Sequence, residues 1–418
     1  MNKRDPDILT AVRAQFHTAP PARLGIAVSG GGDSIALMHI LSRCFDPGTV
    51  ELFAATVDHG LRPEAAQEAQ MVADLAASLG VRHSTLKWEG WDKTGNLQDQ
   101  ARQARYRLLI DWAKSNEIAI LALGHTADDQ AETVLMRLAR SSGVTGLAAM
   151  PVRRTLGGIT IFRPVLGITR SELRDYLQLH NTQWVEDPSN SDLRFDRIKM
   201  RQALEVLEPL GVSARALADV ARNMSQAREA LDWYSFLAAR DSVTIYGGDA
   251  VLDLKTFRTL PDEIARRLLL RVIAWISGAQ YPPRRASMVE ALNAVRLGRP
   301  VTLGGCRALQ LGQRVWICRE FNAVRRTRCG SNAIWDGRWR TRHATDQAKY
   351  ELRALGRRGL MQCPDWRATG HPHAALTASM AVWDGDDLVA APLAGMPNGW
   401  HAELVGGSEE FYASLLSH

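Results

Sequence analysis

Short apolar runs alternate with amphipathic stretches along the first half of the chain. The apolar runs predict buried strands at residues 24–28, 50–57, 81–86, 118–123 and 157–162. The amphipathic stretches predict helices at residues 35–41, 64–79 and 96–115, with a further helix beginning near Asp128. Because strands and helices alternate, and because the run at 118–123 is almost wholly apolar, the pattern predicts an α/β fold built on a doubly wound parallel sheet.

The pattern changes twice after Trp184. Helical periodicity dominates residues 214–237 and 262–276, which predicts a helical domain. From Val301 onward, short strand patterns joined by turns that contain Gly predict a small β-rich domain at the C-terminus. We therefore predict three domains, which cover residues 1–205, 206–300 and 301–418.

Unusual polar clusters follow the predicted strands directly. They are the segment from Ser29 to Ser34, the pair Asp58 and His59, the segment from Gly124 to Asp129, and Arg163. In an open parallel sheet, ligands bind at the carboxyl ends of the strands. The clusters are therefore expected to meet in one cleft.

The segment Ser29-Gly30-Gly31-Gly32-Asp33-Ser34 lies between the first strand and the helix that follows it. Its glycines let backbone N–H groups approach a ligand, its hydroxyls add donors, and the helix N-terminus favours an anion. The segment therefore predicts a phosphate-binding loop. It lacks the lysine of a Walker A element, and a carboxylate beside phosphates makes sense chiefly as a Mg²⁺ ligand, which assigns Asp33 to the metal. A plain Gly-rich turn capped by Ser34 is the alternative.

Composition narrows the class of protein. The 418 residues include 51 Lys and Arg against 45 Asp and Glu, and the resulting charge of +6 with a pI near 9.2 suits a polyanion such as nucleic acid. Five cysteines, odd in number and without a C-x-x-C pair, indicate neither a zinc site nor a redox pair and favour a reducing cytoplasm. No apolar run approaches the ~20 residues that cross a bilayer, so we expect no membrane partner.

Several motifs together resemble a known family. SGGGDS after a strand resembles the PP-loop of the N-type ATP pyrophosphatases. Six further segments are similar, in the same order, to those of the bacterial tRNA(Ile)-lysidine synthases: VDHGLR (57–62), NLQDQARQARY (96–106), GHTADDQAET (124–133), GLAAM (146–150), RPVL (163–166) and WVEDPSNSDLRFDRIKMR (184–201). Ser141 follows Arg140 where that family commonly has Gly, which leaves the shape of this turn open.

The resemblance implies a Rossmann-like PP-loop domain and a two-step reaction on RNA. ATP adenylates the C2 oxygen of the wobble cytidine in tRNA(Ile) with a CAU anticodon and releases pyrophosphate. The ε-amine of free L-lysine then attacks C2 and expels AMP, which gives lysidine. The resemblance assigns ATP binding to Ser29, Gly30, Gly31, Gly32, Asp33, Ser34 and His59, with Asp33 also holding a Mg²⁺ ion that neutralises charge on the leaving pyrophosphate.

Carboxylates near the cleft are expected to handle the lysine substrate. Its amine is protonated in water and must lose a proton before it attacks. Asp128 and Glu132 stand one turn apart on a predicted helix that His125 precedes, so these residues join Asp33 as candidate catalytic groups. An acidic first turn that complements the helix dipole is the alternative for the carboxylates, and it is favoured for Asp129. His59 and His125 could alternatively be ordinary residues at strand ends.

Arginines are the expected contacts for RNA, because the guanidinium fork matches phosphate oxygens. Their positions in the motifs assign contact with the tRNA or the activated base to Arg102, Arg105, Arg163, Arg194, Arg197 and Arg201. A solvated Arg-rich helix face is the alternative. Further candidates for holding the tRNA stem are Arg215, Arg222 and Arg228, and the cluster from Arg325 to Arg328.

Three other functions remain alternatives at this point. Thiolation of a cytidine or uridine replaces the same type of oxygen, but it normally needs cysteines, and none of the motifs contains one. A small-molecule amide ligase would leave the basic helical and C-terminal parts unexplained. A nucleotide-sensing RNA-binding module without turnover would not need the carboxylates Asp33, Asp128 and Glu132.

Overall fold

The chain folds into two compact units, which comprise residues 1–228 and 229–417 in the computed structural model. The structure describes residues 4–16, 20–46, 48–60, 65–88, 97–186, 196–279, 281–343 and 349–416. Within these ranges, no helix combines the length and the apolar character needed to cross a membrane.

A six-stranded sheet forms the centre of the first unit. Its strands are β1 (Arg23–Ala27), β2 (Glu51–Asp58), β3 (Arg82–Lys87), β4 (Ile120–Leu123), β5 (Arg153–Leu156) and β6 (Ile159–Phe162). Their order across the sheet is β3-β2-β1-β4-β6-β5, and all neighbours are parallel except the edge hairpin of β5 with β6. The predicted parallel sheet is confirmed, and β5 is an addition to it.

Helices cover both faces of this sheet. The helices that lie or begin in this unit are α1 (Arg4–Ala14), α2 (Gly32–Cys44), α3 (Ala65–Ser78), α4 (Leu97–Ser115), α5 (Ala127–Leu138), α6 (Val144–Leu147), α7 (Arg170–Leu179), α8 (Asp196–Leu207) and α9 (Ala214–Ser242), with a 3₁₀ turn at Glu208–Leu210. Because alternate residues of a strand point to opposite faces, Leu24 and Ile26 of β1 pack in a core with α2, and Ala27 packs in a second core with α4. This double layer of helices is the predicted doubly wound arrangement.

The second unit is built on antiparallel sheets. One contains β7 (Val243–Tyr246), β8 (Asp249–Asp253), β9 (Val301–Leu303), β10 (Cys306–Leu311) and β11 (Arg314–Arg319), in the order β7-β8-β11-β10-β9. Another contains β12 (Arg328–Gly330), β14 (Glu351–Ala354), β15 (Met380–Asp384) and β16 (Asp387–Ala390), in that order. A separate pair consists of β13 (Trp339–Arg342) and β17 (His401–Leu404).

Helices of the second unit pack against both of its larger sheets. They are α10 (Leu254–Thr259), α11 (Asp262–Ser277), α12 (Arg285–Arg296), α13 (Phe321–Val324), α14 (Gly356–Leu360), α15 (His373–Ala378) and α16 (Gly407–Leu416), with 3₁₀ turns at Trp366–Thr369 and Pro392–Ala394. The last helix belongs to the core, since Phe411 and Leu415 are fully buried against α11 and its neighbours. The hydroxyl of Tyr412 donates to the carbonyl of Val243 at 2.8 Å.

Strands β7 and β8 lie in a segment for which the sequence predicted only helices. Gly247 and Gly248 form the turn between them, and both have positive φ, 54° and 79°, as a two-residue hairpin turn requires. β8 then pairs with β11, so residues predicted as helical and residues predicted as β-rich share one sheet. β7 and β8 are too short to show a clear alternation of apolar and polar residues next to the 29-residue helix α9. The Gly247-Gly248 pair was the signal in the sequence for a turn between them.

The three-domain division stays a prediction. Its boundary at residue 205 lies inside α8 and within the first unit, and its boundary at residue 300 separates the paired strands β8 and β11. The structural division into two units instead falls within α9, at residue 228.

Gly124 directly follows β4 and packs closely against the start of α2. A Cβ atom there would lie 2.9 Å from the carbonyl oxygen of Asp33 and 3.1 Å from the Cα atom of Ser34. We expect Gly124→Ala to push the end of β4 away from the start of α2 and to lower the free energy of unfolding by about 1–3 kcal/mol. Urea denaturation measures the change. Gly167→Ala is the control, because a Cβ atom there meets nothing within 4 Å. Equal midpoints for the two variants would contradict the packing argument.

Candidate active site

A loop of three glycines connects β1 to α2. Gly30 has a φ of 84°, which residues with a side chain rarely adopt. The hydroxyl of Ser34 accepts a hydrogen bond from the N–H of Ser29 at 3.1 Å and donates one to the carbonyl of Gly31 at 2.9 Å. This hydroxyl therefore ties the two ends of the loop together.

The N-terminus of α2 faces the loop with its free backbone donors. The first hydrogen bonds of the helix run from the N–H groups of Ser34 and Ile35 to the carbonyl of Gly31. The N–H groups of Gly32 and Asp33 precede that pattern, and such groups are the ones through which a helix N-terminus binds an anion.

Residues 184–186 pack against the loop, although they are distant from it in sequence. Val185 forms a parallel bridge with Gly31, and its N–H donates to the carbonyl of Gly30 at 3.0 Å. The Trp184 ring lies against Gly32, where an added Cβ atom would be 3.3 Å from the ring atom Cδ1. Glycine in the loop thus lets a second segment pack on it.

Arg170, the first residue of α7, contacts carboxylates from two other helices. Its Nε donates to Asp33 Oδ2 at 3.0 Å. Its two terminal nitrogens lie 3.6 Å from Asp129 Oδ1 and 3.8 Å from Glu132 Oε1. Its backbone N–H donates to Asp128 Oδ2 at 2.7 Å. One residue therefore joins four carboxyl groups at the same end of the sheet.

A capping box fixes the start of α7 and, with it, Arg170. The N–H of Thr169 donates to Glu172 Oε2 at 2.9 Å, and the N–H of Glu172 donates to Thr169 Oγ1 at 3.3 Å. Arg215 donates to both oxygens of Glu172 at 2.6 Å. The N–H of Ala127 donates to the carbonyl of Ile168 at 2.9 Å, which links the start of α5 to the start of α7.

Two of the four carboxyl groups have raised pKa values. Burial raises the pKa of Asp33, and the Arg170 guanidinium reduces that rise without cancelling it. Burial also raises the pKa of Glu132, with the charge of Asp129 adding to the rise and Arg201 opposing it. Burial disfavours the charge of Arg170, but Asp33 and Asp129 more than offset this effect and raise the pKa of Arg170. The guanidinium therefore stays charged.

Asp129 is a capping residue. Its Oδ2 accepts hydrogen bonds from the N–H of Thr126 at 2.9 Å and from the Thr126 hydroxyl at 3.1 Å. Burial alone would raise the pKa of Asp129, but Arg170, His125 and these hydrogen bonds together hold it below its ordinary value. Its environment matches the helix-end role that the sequence favours for it.

Glu132 is almost completely enclosed, with 1% of its surface exposed. Arg201 donates to its Oε1 from Nε at 3.1 Å and from Nη2 at 2.9 Å. Its Oε2 is also buried, and none of the described residues donates a hydrogen bond to it. Because a buried oxygen without a donor is costly, a ligand that carries a donor would be attracted to Oε2.

His125 is oriented by Arg163. Arg163 Nε donates to His125 Nδ1 at 3.1 Å, and Arg163 Nη1 donates to the carbonyl of Pro151 at 2.8 Å. Since Nδ1 accepts this bond, the proton of the neutral ring is assigned to Nε2. Burial lowers the pKa of His125 to about 4, with Asp129 opposing the shift and Arg163 adding to it. The ring is therefore neutral at pH 7 and keeps one donor.

The other predicted arginines differ in their surroundings. Arg105 and Arg197 are half-buried, and both are close enough to His125 to contribute to its lowered pKa. Arg102 is exposed, with its guanidinium 5.4 Å from the centre of a tyrosine ring one turn away. Arg194 lies outside the described residues.

Of the arginines suggested for the tRNA stem, Arg215 pairs with a glutamate of the capping box, Arg222 with a neighbouring aspartate, and Arg228 is 8% exposed.

His59 follows β2 and lies beside Trp88, with the two ring centres 5.6 Å apart. Burial lowers the pKa of His59, the charge of Arg105 adds to this effect, and Asp58 opposes it. Its Nδ1 is buried and finds no hydrogen-bond partner in the described part of the chain. The structure thus provides a neutral ring with an unused nitrogen near Arg105.

The structure brings most of the predicted groups together, but Arg170 is a residue that sequence reasoning missed. Asp33, Asp128 and Glu132 all approach it, and Arg201 meets the same glutamate. A signal was present in the sequence, because Thr169-x-x-Glu172 is a capping box and predicts a helix that begins at Arg170. The roles assigned to individual site residues stay predictions.

Comparison with known proteins identifies relatives over nearly the whole chain. A family model described as a PP-loop domain matches residues 5–207. The tRNA(Ile)-lysidine synthase of Ruegeria pomeroyi is 60% identical over 412 residues, which cover 99% of this chain and 98% of that protein. Proteins of the same name are 40% identical in Wolbachia pipientis wMel, over 72% of each chain, and 41% identical in Methylobacterium nodulans, over 69% of this chain and 85% of that protein.

The pH dependence of stability tests the neutral His125 ring. The ordinary histidine pKa is 6.5 and the folded value is about 4, so between them the unfolded state binds more protons and stability rises with pH. This contribution is complete above about pH 6.5 and is lost as the pH falls toward 4. We expect His125→Asn to flatten this dependence in urea denaturation across that window. His401→Asn, at an exposed histidine, is the control and should not. An unchanged slope for His125→Asn would contradict the assignment.

Proposed function

The chain belongs to the tRNA(Ile)-lysidine synthase family, and we infer from this membership that it uses ATP to attach free L-lysine to C2 of the wobble cytidine in tRNA(Ile) with a CAU anticodon. The cytidine is adenylated first, with release of pyrophosphate, and lysine then displaces AMP. The observation that carries this assignment is the 60% identity over nearly the full length of both chains. We propose the cytoplasm as the compartment, because ATP, lysine and tRNA are all present there.

We propose that the loop from Ser29 to Ser34 binds the phosphates that leave as pyrophosphate. Its two hydroxyls lie 3.2 Å apart, and the N–H groups of Gly32 and Asp33 stand beside them. Preorganised donors of this kind stabilise charge as it develops on a leaving group. The dipole of α2 acts in the same direction, because its positive end is at the loop.

Asp33 is the proposed Mg²⁺ ligand. Among the described residues, no three side chains of His, Cys, Asp or Glu are grouped to hold a metal ion by themselves. A Mg²⁺ ion that accompanies a nucleotide usually takes only one or two carboxylates and completes its shell with phosphate oxygens and waters. Asp33, next to the loop and with Asp129 on the other side of the Arg170 guanidinium, fits that requirement. When bound, the ion would neutralise charge on the pyrophosphate.

Asp128 and Glu132 are proposed to receive the ammonium group of lysine. The raised pKa of Glu132 suits it to accept a proton, and its buried Oε2 has no donor within the described ranges. Arg170 and Arg201 now balance part of the carboxylate charge. A substrate cation would therefore share these carboxylates with the two guanidinium groups or displace one of them.

The neutral ring of His125 is proposed to donate a hydrogen bond from Nε2 to the cytidine or to a phosphate. Arg163 holds the ring in place from a buried position, which makes it a positioning residue in this proposal. Arg105 and Arg197 are the proposed phosphate ligands nearest to that ring. Arg102, on the same helix as Arg105 but exposed, extends the basic surface outward.

Thiolation, the closest rival reaction, lacks a suitable sulfur in the first unit. Cys44 is the one cysteine among residues 1–228, and it is buried at the far end of α2. Burial raises the pKa of Cys44 to about 11, with Arg13 and Arg43 opposing the shift. A thiol with that pKa remains protonated at neutral pH and is a poor nucleophile.

The substrate requirement tests the proposed reaction. Purified protein with ATP, Mg²⁺, labelled L-lysine and tRNA(Ile) bearing the CAU anticodon should incorporate lysine and release pyrophosphate and AMP in equal amounts. Nucleoside mass spectrometry identifies the product. The methionine tRNA with the same anticodon is the control and should not be modified. A tRNA that carries no lysine adduct under these conditions would overturn the assignment.

The role of Asp33 can be separated from tRNA binding. Asp33→Asn keeps the shape of the side chain but removes the charge that would hold Mg²⁺, so we expect turnover to fall at least about a hundredfold. The affinity for tRNA, measured by filter binding, should stay nearly unchanged. Asp111→Asn, on the exposed side of α4, should retain turnover. If tRNA affinity fell in parallel with turnover, Asp33 would be a structural residue instead.

A further inference from the structure

A pocket in the second unit has no part in the reaction described above. It has a volume of about 310 Å³ and lies where the β9–β11 edge of the larger sheet meets α13, α14 and α15. Its lining includes Thr302, Arg307, Glu320, Phe321, Arg357 and His373. The pocket therefore combines an aromatic ring, basic side chains and hydrogen-bonding groups.

The ring of Phe321 contacts a neighbouring loop residue, but the side chain remains partly exposed to solvent. The ring lies beside Gly356, where an added Cβ atom would be 3.6 Å from it. Despite this contact, 38% of the residue is exposed. A fixed aromatic ring with an accessible surface is the usual platform on which an unstacked base is bound.

Positive charge beside that ring is balanced only in part by nearby carboxylates. Arg307 and Arg357 are exposed, and neither forms an ion pair with a carboxylate of the described residues. Arg319, which also reaches the pocket, is different, because Asp336 accepts two hydrogen bonds from it at 2.8 and 3.0 Å. Glu320 supplies the acidic group of the lining, so the two unpaired arginines leave the pocket positive.

The charge of the chain is concentrated in the same unit. Residues 229–417 contain 24 Lys and Arg against 19 Asp and Glu, which gives +5 of the total of +6. Residues 1–228 contain 27 against 26, which gives +1. A polyanion is therefore attracted chiefly to the second unit.

We propose that this pocket binds an unpaired nucleotide of the tRNA, with its base stacked on Phe321 and its phosphate held by Arg307 and Arg357. The proposal rests on the proposed function, since that function supplies tRNA as the ligand. A duplex hides the faces of its bases, so the nucleotide comes from a loop or an end. A volume of about 310 Å³ is at the small end for ligand pockets and suits one nucleotide.

Binding measurements on the full chain test this proposal. The probes are the tRNA, a blunt RNA duplex, and the same duplex with a short unpaired extension, each measured at several salt concentrations. We expect Phe321→Ala to weaken binding of the tRNA and of the extended duplex at least about fivefold, and to leave the blunt duplex unaffected. Arg307→Ala should weaken tRNA binding and lower the salt slope by about one.

Matched controls are available in the same unit. Met361→Ala removes a side chain that is 73% exposed outside the pocket, and Arg314→Ala removes an exposed arginine of β11. Neither should change the preference for the extended duplex.

Three outcomes would overturn the proposal. Normal tRNA affinity in both pocket variants would overturn it while leaving lysine transfer by the wild type intact. Equal losses on both duplexes would mean that the pocket holds duplex backbone. If AMP binding depended on Phe321 but tRNA binding did not, the ligand would be a free nucleotide. Failure of the wild type to bind the tRNA would instead overturn the proposed function.

Discussion

The arrangement of the candidate active site depends on the contacts between the guanidinium group of Arg170 and the surrounding carboxylates. Carboxylates from α2 and α5 converge at one end of the sheet, and their mutual repulsion would separate them without a cation between them. Arg170 supplies this cation through a planar fork that reaches three side chains, while its own backbone N–H holds a fourth. A lysine at this position could not make the same set of directed contacts. The capping box of α7 therefore serves the cleft as well as the helix, because it fixes where that fork begins.

Local sequence patterns were enough to predict the parts of the cleft that follow single strands. The apolar runs predicted the parallel strands, and the glycines between β1 and α2 predicted the loop, because each signal lies within a few consecutive residues. Asp128 and Glu132 were predicted to share a helix face, and both do approach Arg170. Arg170 was missed because its role exists only when α7 is packed beside α5. Nothing in the composition of residues 163–172 identifies its partners.

Two other features also depend on tertiary packing. The RNA contact assigned to Arg163 stays a prediction, and the structure places this side chain beside His125 with 5% of its surface exposed. An arginine in a motif has the same sequence signal whether it faces solvent or a buried imidazole. The pairing of β8 with β11 joins residues about sixty positions apart, and no local pattern encodes which strands of an antiparallel sheet become neighbours. The predicted domain boundary at residue 300, drawn from a change in the hydrophobic pattern, lies between these two paired strands.

The position of α16 in the core has a consequence for how the chain matures on the ribosome. All strands of the first unit are complete by residue 162, so that sheet can form while the rest of the chain is still being synthesised. The core of the second unit begins with residues of α9 and β7 but includes Phe411 and Leu415 of α16, which are synthesised much later. Its apolar surface cannot be fully covered before α16 has been made. A chain interrupted before α16 would therefore carry a formed sheet in the first unit and an open, aggregation-prone core in the second.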